Sequence, residues 1–90
     1  MTNSFICLFK DQKGIYFYNN HKVTSNEECE AGIADLFVPQ NSLPWVGLSN
    51  LLNKLGHQID SLTFVVFERG KDINAINEFI HIYADDIERV

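Results

Sequence analysis

Six large apolar residues near the C-terminal end, Ile73, Ile76, Ile80, Tyr83, Ile87 and Val90, step along the chain by three and four. That spacing puts them on one face of a helix starting near Asp72 and running to Val90. An isolated helix of this length is marginal in water, so the stripe must dock on another apolar surface. It is too short for a coiled coil, which takes three to four heptads. The chain must therefore build a second layer for this helix to lie on.

Strands are the expected source of that layer. Residues 4–10 (Ser-Phe-Ile-Cys-Leu-Phe-Lys) are apolar on both strand faces, as in a well-covered strand. Asp11-Gln12-Lys13-Gly14 has turn chemistry, with Gly14 able to take a positive φ. Ile15-Tyr16-Phe17-Tyr18 then returns as the second arm of a hairpin. If Ile15 and Phe17 point into the core, Tyr16 and Tyr18 share the opposite face and form an aromatic patch there. Leu62 to Phe67 is expected to be a further, central strand, broken by Arg69-Gly70-Lys71.

Two shorter helices are expected between the hairpin and that strand. Ser25 and Glu28 have capping-box spacing, opening a helix over 26–37 whose inner stripe is Cys29, Ile33, Leu36 and Phe37. Gly32 weakens it by up to ~1 kcal/mol relative to Ala. Val38 to Ser42 reads as a loop. Pro44 suits the first turn of a helix carrying Leu48, Leu51, Leu52 and Leu55 on one side, with Gly56 as the stop and His57 beyond it. The predicted order is β-β-α-α-β-α. It defines a small α+β two-layer domain over residues 1–90, with a three-stranded, mainly antiparallel sheet covered by helices.

Ninety residues leave room for one domain. The longest apolar runs fall far short of the ~20 residues that span a bilayer. Met1-Thr2-Asn3-Ser4 lacks the basic region of a secretory signal. Cys7 and Cys29 are the only cysteines and have no CxxC spacing, so both are expected as thiols in a cytoplasmic protein.

No pattern for chemistry emerges. Neither GxGxxG nor GxxxxGK[ST] occurs, and Gly47-Leu48-Ser49 meets Leu51 where a nucleophile elbow needs its second glycine. Cys7, His21, Cys29, His57 and His81 lack zinc-site spacing. His81 and Asp85, one turn apart, suit a surface hydrogen bond better than a metal. His57 with Asp60, and His21 with Glu27 or Glu28, read as solvated loop groups. No catalytic residue, cofactor or metal is expected.

Charge placement is more informative. The chain carries a net −5, yet residues 25–37 (Glu27, Glu28, Glu30, Asp35) and residues 72–90 (Asp72, Glu78, Asp85, Asp86 and Glu88 against Arg89) are each −4, leaving +3 elsewhere. Direct binding of nucleic acid needs cations on the contact face, so this pattern opposes it. Acidic faces instead steer association with cationic protein clefts. The expected function is a small protein-binding inhibitor: an immunity protein or antitoxin neutralising a nuclease-type toxin, or a phage-type antagonist of a nucleic-acid enzyme. Glu27, Glu30, Asp35, Glu78, Asp85 and Glu88 are its candidate contacts, the last three on one arc of the final helix. The alternative is a non-catalytic assembly or adaptor subunit that binds through Tyr16 and Tyr18 or through Trp45, the only tryptophan. Trp45 more often sits in the core of so small a domain.

The stretch Leu43-Pro44-Trp45-Val46-Gly47 with Leu51, Leu52 and Leu55 resembles the Leu-Pro, aromatic, Gly and Leu-rich helix of barstar-type ribonuclease inhibitors. The likeness ends there and needs a gap. The family's paired tyrosines and helix acid have no counterparts at the matching places, so no binding residue is carried over.

Overall fold

In a computed structural model, residues 5–19, 34–68 and 70–90 are described. Asp11 sets the first turn: its Oδ1 accepts the N–H of Lys13 at 2.7 Å and of Gly14 at 3.2 Å, the side-chain turn that Asp favours. The turn joins β1 (Ile6–Lys10) to β2 (Gly14–Asn19) as an antiparallel hairpin, with Leu8 opposite Phe17 and Phe9 opposite Tyr16. Gly14 is needed for space rather than for handedness. Its φ of 159° is nearly extended, but a Cβ there would run into the Val38 carbonyl oxygen and come within 2.9 Å of the Phe37 ring.

The class is α+β, as the sequence implies, but the sheet has five strands among the described residues rather than three. Strands β3 (Leu36–Pro39), β4 (Phe64–Phe67) and β5 (Glu88–Arg89) complete the antiparallel order β4-β1-β2-β3-β5. The strand expected to be central, β4, therefore lies at an edge. Both added strands, β3 in part and β5 entirely, come from segments expected to be helical. Leu36 and Phe37 belong to β3, not to the end of a helix, and so do Val38 and Pro39 from the expected loop. Phe37 and Val38 are good β-formers. Pro39 is tolerated because β5 reaches only as far as Phe37, so no second neighbour asks for its missing N–H. Residues 26–33 of the expected helix lie outside the described residues.

Helix α1 (Leu43–Lys54) has Pro44 in its first turn and Ser42 as N-cap. The Ser42 hydroxyl caps no helical N–H and donates instead to the Pro39 carbonyl at 2.7 Å. At the other end, Gly56 donates to the Asn53 oxygen at 3.1 Å and His57 to the Leu52 oxygen at 2.8 Å, the paired bonds of a Schellman ending. Gly56 has φ 89°, so the glycine expected to stop this helix does so.

Helix α2 (Gly70–Ile82) ends well before Val90. Asp85 and Asp86 explain why: Asp is a poor helix former, and negative charge at a helix C-terminus opposes the dipole. One further helical bond, from the Ile87 N–H to the Tyr83 oxygen at 3.0 Å, keeps Ile87 buried. The chain then straightens into β5, while Val90 is 67% exposed. The buried stripe of α2 is Ile73, Ile76 and Phe79, with Ile80 and Tyr83 only half-buried beside it. Glu78, Asp85 and Glu88 thus stand on a helix, a turn and a strand, not on one helical arc.

Both helices pack on the same sheet face. Ile6, Leu8, Ile15, Phe17, Val38 and Phe67 meet Leu48 and Leu52 from α1 and Ile73, Ile76 and Phe79 from α2 in one core. Gly47 lets α1 and α2 approach closely, since a Cβ there would lie 2.6 Å from the Tyr83 hydroxyl.

Candidate protein-binding surface

The pairing of β3 with β5 brings together the ends of the two acidic segments. Leu36 lies opposite Arg89 and Phe37 opposite Glu88, and the Val90 N–H donates to the Asp35 carbonyl at 3.2 Å. Asp85 and Asp86 occupy the turn that feeds this edge and, like Glu88, are exposed. Glu78 is also exposed but sits apart on α2, where it lines the groove against α1. Asp35 is half-buried. Glu27 and Glu30 lie outside the described residues.

The aromatic candidates separate. Ile15 and Phe17 are fully buried on the helix-covered face, so both tyrosines do lie on the other one. Tyr18, however, is only 4% exposed, packed in a cluster with Cys7 and Ala34, and offers almost no contact area. Tyr16 is half-buried in a row of rings, 6.1 Å from Phe9 and 4.6 Å from Phe37 between centroids. Trp45 is half-buried and packs against the helix-covered core. Partial burial, then the hydrogen bond and negative charge of Asp11, push the Tyr16 phenol above its ordinary value.

No three His, Cys, Asp or Glu side chains converge as a metal site among the described residues. His57 stands edge-on to Phe67 with ring centroids 5.4 Å apart, and His81 is exposed. Among the described residues no helix is long and apolar enough to cross a membrane.

Sequence reasoning missed Phe37, hidden by its assignment to a helix, and three exposed apolar residues. Leu43 (69% exposed), Val46 (61%) and Ile82 (64%) stand on the helical layer. Their signal is negative: each is a large apolar residue off the inner stripe of its own helix.

Comparison of the chain with models of protein families, with characterised proteins and with solved structures finds no match in any of the three.

Proposed function

We propose that this chain is a non-catalytic, acidic protein-binding inhibitor of the immunity-protein or antitoxin kind, acting on a cationic partner such as a nuclease toxin or another nucleic-acid enzyme. The observation that carries this reading is the β3–β5 pairing. It sets the ends of two separately acidic stretches side by side and leaves Asp85, Asp86 and Glu88 exposed along one edge. Such an edge raises the encounter rate with a basic cleft, a long-range effect that salt screens.

The test starts from a pull-down with the full chain from its native host, followed by surface plasmon resonance on the captured partner. Reversing Asp85, Asp86 and Glu88 to Lys lowers the association rate at low salt. The loss shrinks at 1 M salt, where the Debye length is ~3 Å. An association rate unchanged by the reversals removes this reading.

A second reading, an adaptor that binds through its aromatic sheet face, is favoured by one observation. Phe9, Tyr16, Phe37 and Phe64 are half-buried on a face that neither described helix covers. It takes over if Tyr16→Ala or Phe37→Ala abolishes capture while the charge reversals leave it intact.

A further inference from the structure

The groove between α1 and α2 combines exposed apolar surface, a cavity and a charge gradient. Gly47, Asn50, Leu51 and Lys54 line it from α1, and Ala75, Glu78 and Ile82 from α2 with Tyr83 just beyond, around about 290 Å³. The helices run antiparallel, because Gly47 near the start of α1 abuts Tyr83 just past the end of α2. Helical spacing puts Leu43, Val46 and Asn50 along the same side of α1, as it puts Ala75, Glu78 and Ile82 along one side of α2. Of the four large apolar side chains that are strongly exposed among the described residues, Ile82 lines the groove, and helical spacing sets Leu43 and Val46 one turn before its lining residues Gly47 and Asn50. Isolated exposed apolar residues are ordinary, but a group beside a concavity is a contact surface.

Charge decides what kind of helix fits. At the Tyr83 end the chain continues directly into Asp85 and Asp86, both exposed. Lys54, the only cation lining the groove among the described residues, lies seven residues from Gly47, or about 10 Å along the axis. Helix α1 is twelve residues long, so the lining from Gly47 to Lys54, together with Leu43 and Val46 one turn before it, gives an occupant room for about three helical turns. We propose that this groove seats an amphipathic helix of the basic partner, its apolar side on Leu43, Val46 and Ile82 and its cations over Asp85 and Asp86. This rests on the inhibitor reading for the sign of the partner's charge, and on the groove itself for the mode of docking.

Three 14-residue peptides used as probes separate the two supports: an amphipathic Leu/Lys helix, the same pattern with Glu for Lys, and a scrambled Leu/Lys sequence. Each is titrated into the full-length, ¹⁵N-labelled chain, and amide shifts are followed in both helices. The Leu/Lys helix shifts amides of 43–51 and 75–83, and Val46→Asp or Ile82→Asp weakens it at least tenfold. Both variants change exposed positions, and retained dispersion of the spectrum checks that they fold. If the scrambled peptide binds equally well, the groove is not the seat and the proposal falls, while the acidic reading stands. If the Leu/Glu helix binds the groove as tightly as the Leu/Lys one, the proposal falls together with the acidic reading. If sedimentation shows a dimer that Ile82→Asp dissociates, the occupant is a second copy of this chain and the proposal is likewise overturned.

Discussion

The two faces of the sheet are built from the same strands but from different residues. On the covered face, Ile6, Leu8, Ile15, Phe17 and Val38 are wholly inaccessible, sealed by Leu48, Leu52 and Ile76 of the helices. On the other, Phe9, Tyr16, Phe37 and Phe64 stay half-buried and cover one another, while only the Cys7, Tyr18 and Ala34 cluster is closed. Aliphatic side chains suit a face packed by a second layer, because they interdigitate at crystal-like density. Rings suit a face that must shield itself laterally, since offset or tilted pairs bury each other's flanks. Among the described residues, full burial is thus concentrated on the helix-covered face, while the rings of the other face stay half-buried.

Neighbouring residues on one strand can break that contrast. Leu8→Ala leaves a cavity under the helices and should cost ~2–5 kcal/mol in denaturant melts. Phe9→Ala removes a larger side chain from the ring row and should cost only ~1–2 kcal/mol, since its stacking contributes ~0.5–1.5. Equal losses would mean that the second face is as firmly closed as the first.

Gly47→Ala probes the helical layer that seals the covered face. The added methyl would sit 2.6–2.8 Å from the Tyr83 hydroxyl and ring, forcing the ring or α1 to move. A cost of ~1–3 kcal/mol is expected, as for other overpacked sites. Helix propensity alone favours Ala by ~0.8–1.0 kcal/mol, so a more stable Gly47→Ala variant would show that Tyr83 swings aside freely.

How much of this was legible in the sequence follows from which forces were local. The Asp11–Gly14 turn, the Ile15/Phe17 alternation and the Gly56 stop are written in adjacent residues, and the structure has all three. Leu36 and Phe37 were misread because their spacing fits a helix stripe, whereas their pairing with Phe17 and Tyr16 is long-range. The end of α2 had a local signal after all: two aspartates where the helix dipole disfavours them. Of the candidate contacts, exposure at Glu78, Asp85 and Glu88 followed from charge alone. The meeting of Asp35 with Val90 could not, because β5 exists only once β3 offers it an edge. Leu43, Val46 and Ile82 lie off the apolar stripes of their helices, so helical periodicity carries no signal for them.

The smallest expected effect tests whether the ring face is dry enough to matter electrostatically. Tyr16 has its phenol raised above 10.0, first by burial and then by the hydrogen bond and charge of Asp11. The sign follows from proton linkage: above the unfolded value the native state keeps a proton that the unfolded state has released. Tyr16 therefore contributes stability that is complete below pH ~10 and drains away as pH rises through its folded value. Following the tyrosine ring carbons by NMR should show Tyr16 titrating above the free amino acid. Asp11→Asn should bring it part of the way down, because the anion is gone while the burial remains. A full return to the ordinary value would assign the whole shift to Asp11 and mark the ring row as effectively wet, so that the two faces differ in solvation as well as in packing. No movement on Asp11→Asn would assign the shift to burial alone, and Tyr16 would then be better covered than its half-exposed ring neighbours imply.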